Sequence, residues 1–123
     1  MIEEINNCVK VLQEGGLIVY PTDTVWGIGC DATNPEAVQK VYALKKRESS
    51  KPLICLVANQ AMLERHVKEV PDVAYDIMDF ATKPTTIIFD QPLGVAKNLV
   101  AEDNTLGIRV ASDKFCQYLI NKF

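Results

Sequence analysis

A chain of 123 residues, 48% hydrophobic and 24% charged, is sized for one folded domain with its own core and excludes a disordered segment. Its net charge of −3 excludes a global attraction to nucleic acid, so any RNA contact has to come from a local basic patch. No apolar run approaches the roughly 20 residues of a bilayer span, and a start carrying Glu3 and Glu4 lacks the basic-then-apolar pattern of a secretory signal. A cytoplasmic protein without a membrane partner is therefore expected.

In chain order, Ile2, Ile5, Val9 and Leu12 recur at helical spacing and stop at Gly15-Gly16, where Gly16 is expected to take the left-handed conformation that ends a helix. Leu17 to Tyr20 reads as a strand closed by Pro21. Thr33-Asn34-Pro35-Glu36 reads as a helix start in which Thr33 caps and Glu36 reaches back, with Pro35 in the first turn. The helix that follows presents Ala37, Val38, Val41 and Leu44 inward and ends near Lys45. Leu53 to Val57 reads as a buried strand, and helices are expected over 60–67 and 71–80, the second with Val73, Ile77 and Phe80 inward. Thr85 to Phe89 is strand-like. Leu106, Ile108 and Val110 alternate with Gly107 and Arg109, as in a half-buried strand, and Ser112 or Asp113 opens a last helix carrying Phe115, Leu119 and Ile120. Strands alternating with helices predict an α/β sheet covered by helices. The longest irregular stretch is 90–104. The chain stops at Phe123, where the alternation calls for another strand, so one domain over 1–123, incomplete at its C-terminus, is expected.

Cys8, Cys30, Cys55 and Cys116 show no CxxC spacing and no histidine beside them, so no metal site is expected and they read as small hydrophobes. The single histidine, His66, lies beside Arg65 and near Lys68 and reads as a surface residue.

Three stretches carry chemistry. Tyr20-Pro21-Thr22-Asp23-Thr24-Val25-Trp26-Gly27-Ile28-Gly29-Cys30 runs from a strand into hydroxyls, one carboxylate and two glycines that let backbone amides approach a ligand. The plain alternative is a strand-end turn in which Thr22 and Asp23 bond local backbone. Lys45-Lys46-Arg47-Glu48-Ser49-Ser50-Lys51 places four cations within seven residues at a helix end, suited to a polyanion such as a triphosphate. A solvated helix end complementing the macrodipole explains Lys45 and Lys46 equally well, but Arg47 and Lys51 less so. Arg109 sits four positions after Thr105 in the alternating strand. The two share the face opposite Leu106, Ile108 and Val110, where an arginine either binds a carboxylate or simply meets solvent. Neither GxxxxGK[ST] nor GxGxxG occurs, so neither a P-loop ATPase nor a Rossmann dehydrogenase is supported.

Taken in this order and spacing, these stretches resemble the YrdC-type threonylcarbamoyl-AMP synthase family. The GG-x-[IV]-x-[YF]-P-T-[DE]-T-x-[YWF]-G-[IL] signature is matched from Gly15 to Ile28. The K-x-R and [KN]-P-L pair is matched by Lys45, Arg47 and Lys51-Pro52-Leu53, and the T-[IVL]-[GA]-[IV]-R-[VM] strand by Thr105 to Val110. The resemblance implies a YrdC/RibB-like open twisted mixed sheet covered by helices. It also implies an enzyme that joins L-threonine, bicarbonate or CO2 and ATP into threonylcarbamoyl-AMP with release of pyrophosphate, for modification of tRNA by partner proteins. By the same resemblance Thr24 and Arg109 contact L-threonine. Arg47, Lys51 and Thr105 contact ATP, Lys45 with Arg47 forms the catalytic cationic wall, and Mg²⁺ arrives bound through phosphates. Three departures accompany it. Thr82-Lys83-Pro84-Thr85-Thr86 stands where members commonly carry Pro-Gly-Pro-x-Thr, and Leu56 stands where some have histidine. The Ser-x-Asn nucleotide motif, which in members follows the helix reaching Phe123, is absent, so the chain on its own is expected to be a poor synthase. The competing readings are a tRNA- or double-stranded-RNA-binding module of the same fold, a carbamoyl-transfer domain of the hydrogenase-maturation type, and an inert fragment. Thr22 to Thr24 argue against the second.

Overall fold

The computed structural model describes residues 2–21, 26–45 and 53–123. Among the described residues five helices, α1 (Ile2–Gln13), α2 (Pro35–Lys45), α3 (Gln60–His66), α4 (Asp72–Phe80) and α5 (Lys114–Lys122), and five strands, β1 (Ile18–Pro21), β2 (Trp26–Gly29), β3 (Cys55–Val57), β4 (Thr86–Asp90) and β5 (Thr105–Val110), follow in the order α1-β1-β2-α2-β3-α3-α4-β4-β5-α5. One turn of 3-10 helix, Lys97–Leu99, interrupts the stretch between β4 and β5.

Among the described residues the strands form two sheets. β1 and β2 pair antiparallel, with Ile18 opposite Gly29 and Tyr20 opposite Gly27. The second sheet has the order β3-β5-β4, in which β3 runs parallel and β4 antiparallel to the central strand. β5 shows the expected alternation: Leu106 and Ile108 are buried, while Thr105, Gly107 and Arg109 occupy the other, half-buried face. The buried face joins Val57, Phe89, Leu63, Val38 and Tyr42 in the main core. Burying one such aliphatic side chain fully, as for Leu63, stabilises the fold by about 1.5–3 kcal/mol. A second cluster forms where α1 meets α5, from Ile5, Val9, Leu12 and Leu119.

Several local expectations are corrected. α1 ends on Gly15, not Gly16: Gly15 has φ 80°, its N–H donates to Leu12 O, and the Gly16 N–H donates to Val11 O, a Schellman closure. Gly16 is needed for a different reason, since a Cβ there would lie 2.7 Å from Val11 Cγ1. α2 is capped by Asn34, whose Oδ1 accepts from the Glu36 and Ala37 amides, while the Thr33 hydroxyl donates to Asp31 Oδ1. Tyr42, not Leu44, completes the inward face of α2; Leu44 is exposed, and the Tyr42 hydroxyl accepts from the Leu53 amide at 3.4 Å. β3 begins at Cys55, two residues later than expected, and β4 spans Thr86–Asp90.

The largest correction concerns α4. Val73, Ile77 and Phe80 face outward, with Phe80 82% exposed, and only Ala74 is buried, with Met78 packed beside the core. Tyr75 donates its hydroxyl to Glu64, and Asp79 accepts from Gln60 Nε2 at 2.9 Å, which ties that flank of α4 to α3. With Ala74 and Met78 inward and Tyr75 and Asp79 toward α3, the 73/77/80 stripe lies on the remaining flank at 100° per residue.

Candidate functional site

A cleft of about 460 Å³ lies between the β1–β2 hairpin and the β3–β5 side of the second sheet, closed at its ends by residues of α1, α2 and α5. Its wall is mostly apolar, including Ile18, Ile54, Leu56 and Leu99. Among the described residues the only charged side chains lining it are those of Lys45 and Arg109, both cationic. In a chain of net charge −3, the charged side chains that line this cleft are thus of the opposite sign.

Each cation is placed by its own element. Lys45 is the last residue of α2, where a positive charge also complements the helix dipole, and its side chain is exposed at the cleft. Arg109 projects from the half-buried face of β5, opposite Thr86 on β4 and Leu56 on β3. Its Nε donates to Thr86 Oγ1 at 3.0 Å. Thr105 lies on the same face but at the other end of β5, about 13 Å along the strand from Arg109. It faces Asp90 across the ladder, donates its hydroxyl to Asp103 Oδ1 at 2.6 Å, and does not line the cleft. The structure thus brings Lys45 and Arg109 to one cavity and sets Thr105 apart. Thr24, Arg47 and Lys51 lie outside the described residues.

Residue types alone do not single out the polar rim around Tyr20. Its ring packs over Gly29, where a Cβ would meet Tyr20 Cε1 at 2.5 Å, so the hairpin accepts only glycine at that point without a shift. Burial first, and then the thiols of Cys116 and Cys30, Asp113 and Cys55, push the phenol up to about 12, so it stays a neutral hydroxyl. Burial likewise pushes the thiols of Cys30 and Cys55 up to about 11. Cys116 donates its thiol to Pro21 O at 3.3 Å. None of the four cysteines forms a disulfide, and among the described residues no group of three or more His, Cys, Asp or Glu is arranged to hold a metal. His66 sits at the end of α3, away from the cleft lining, with Nδ1 3.0 Å from Leu93 O. Such a site has no paired acid and base among its described lining; what it offers is positioned positive charge in an apolar cleft.

Comparison with known proteins defines the class through the fold. Helices here cover a mixed sheet and an antiparallel pair of strands, and the chain superposes on the crystal structure of E. coli YciO with a TM-score of 0.85 at 26% identity over 98% of this chain and 59% of that one. The structure of P. abyssi Sua5 complexed with L-threonine superposes with a TM-score of 0.87 at 28% identity, over 95% of this chain and 35% of that one. A threonylcarbamoyl-AMP synthase of Photobacterium profundum is 31% identical over 126 residues, 99% of this chain and 68% of that protein. The Sua5/YciO/YrdC family model, described as telomere recombination, matches residues 10–123, and the chain belongs to this family. It spans 64 to 68% of the length of the synthases that it matches nearly end to end.

Proposed function

We propose that this chain carries the threonine-binding and part of the ATP-binding site of a threonylcarbamoyl-AMP synthase. The observation that carries the reading is the cleft whose described charged side chains are Lys45 and Arg109, lined also by Ile18, Tyr20, Gly27 and Ile28 of the segment that matches the family signature. The substrates fit that lining. Threonine carbamate is a dianion and ATP a polyanion, and fixed cations in a poorly hydrated cleft stabilise both far better than they would in water.

In this reading the amine of L-threonine takes up CO2, or bicarbonate with loss of water, to give the carbamate. A carbamate oxygen attacks the α-phosphorus of ATP, the α–β bridging P–O bond breaks, and pyrophosphate leaves. Arg109 grips the threonine carboxylate and Thr24 helps orient the amino acid. Arg47 and Lys51 hold ATP, with Lys45 and Arg47 as the cationic wall facing the leaving group, and Thr105, outside the cleft at the other end of β5, contacts the part of ATP remote from the reacting phosphorus. Mg²⁺ would enter on the phosphate oxygens as part of the substrate. The product would pass to tRNA-modification proteins. tRNA or double-stranded RNA is a further expected partner.

The test is pyrophosphate release dependent on both L-threonine and bicarbonate, measured on the full chain. Arg47→Ala and Lys45→Ala should each lose about 1.5–3 kcal/mol of transition-state stabilisation, ten- to a hundredfold in kcat/KM, while circular dichroism stays unchanged. Arg109→Lys should raise KM for L-threonine, because an ammonium does not reproduce the planar fork. Salt-sensitive retention of RNA with no threonine-dependent release would favour the RNA-binding module instead.

A further inference from the structure

A polar contact reaches Arg109 from the neighbouring strand β4, and it comes from a residue with no role in the proposed reaction. Thr86 and Arg109 are direct partners in the β4–β5 ladder, and Arg109 Nε donates to Thr86 Oγ1 at 3.0 Å. The rotamer of Thr86 is set from its other side. A Cβ on Gly107 would lie 3.1 Å from Thr86 Cγ2 and 3.4 Å from Ile54 Cγ2, so the threonine methyl occupies the space above that glycine. A β-branched residue is stiff about χ1. With the methyl seated over Gly107, the hydroxyl is directed at Arg109.

We propose that Thr86 is a positioning residue that sets the plane of the Arg109 guanidinium, and so the ability of the cleft to distinguish a carboxylate from an uncharged amide. The inference rests on the reading that Arg109 grips the carboxylate of the amino acid. Nε sits where the planar fork joins its flexible stem, so a hydrogen bond there acts on the orientation of the whole fork. Bidentate recognition of a carboxylate depends on that plane, whereas an amide carbonyl accepts a single hydrogen bond from many orientations.

The experiment uses the full chain and two probes, L-threonine and L-threonine amide, with affinities measured by calorimetry. Thr86→Val keeps shape and strand propensity and removes only the hydroxyl. It should weaken L-threonine roughly three- to tenfold, the effect of one hydrogen bond, and leave the amide and ATP unchanged. Thr86→Ser keeps a hydroxyl but not the methyl that aims it, and should bind L-threonine more tightly than Thr86→Val but less tightly than the parent. An equal loss for both probes in Thr86→Val would make Thr86 merely structural and overturn the proposal, as would unchanged L-threonine affinity in that variant. Arg109→Lys separates the two levels. If it loses L-threonine while Thr86→Val does not, positioning fails and the carboxylate reading stands; if it binds L-threonine like the parent, both fail together.

Discussion

Gly29 and Tyr20 show how one missing side chain shapes the cleft. The phenol ring lies across the hairpin where any Cβ on Gly29 would come within 2.5 Å of it. Gly29→Ala should therefore force the ring off its rotamer and cost about 1–3 kcal/mol, the usual range for overpacking, read from urea unfolding midpoints. Unchanged stability would mean that the ring swings aside freely. The match of Gly27 to the signature is visible in the residue string, but the reason for a glycine at position 29, just beyond it, is not. It is a cross-strand clash avoided, and the partner is named only by the register of Ile18 with Gly29 and Tyr20 with Gly27. The partner of Thr86 was hidden too. Thr86 falls on the threonine of the segment aligned with Pro-Gly-Pro-x-Thr, but nothing in that segment points 23 positions ahead to Arg109.

For whole elements, α4 is the instructive case. A stripe at i, i+4 and i+7 reads as a core face, yet Val73, Ile77 and Phe80 are 61, 41 and 82% exposed. Periodicity identifies which residues share a face; which face meets the core depends on neighbours, here the hydrogen bonds of Tyr75 and Asp79 to α3. The contrast is measurable. Phe80→Ser should change stability by no more than about 0.5 kcal/mol. Leu63→Ala, at a side chain with no exposure, should cost about 2–5 kcal/mol. A loss above about 2 kcal/mol for Phe80→Ser would restore the inward face to the 73/77/80 stripe. α1, by contrast, was legible over most of its length: Ile5, Val9 and Leu12 of its stripe are buried, while Ile2 in the first turn is 75% exposed and the choice between two adjacent glycines went the other way.

Across the whole molecule, the cleft couples folding to the protonation of thiols that do no chemistry in the proposed reaction. Cys30 and Cys55 both line it, and burial holds their thiols near 11 against an ordinary value of 9.0. The folded chain keeps these protons over a range in which the unfolded chain releases them, so their contribution is full below about pH 9 and is lost as pH rises to about 11. Urea midpoints should fall across that window in the parent and fall less in a Cys30→Ala, Cys55→Ala double variant. A parent midpoint that stays level from about pH 8 to 11 would contradict the raised thiols.

Much of this protein follows from local rules that a linear string obeys. Helix and strand periods, the proline and glycine punctuation, the alternation along β5 and the cationic helix end at Lys45 were all readable, because each depends on residues within a few positions of one another. The family signatures were readable for the same reason. What only the tertiary structure decided are the relations between distant segments: the parallel pairing of β3 with β5, the outward turn of α4, the meeting of Lys45 with Arg109 in one apolar cleft, and the hydroxyl of Thr86 holding the guanidinium. Those depend on packing and register, in which a residue's partner is set by the path of the chain through space and not by its place along it.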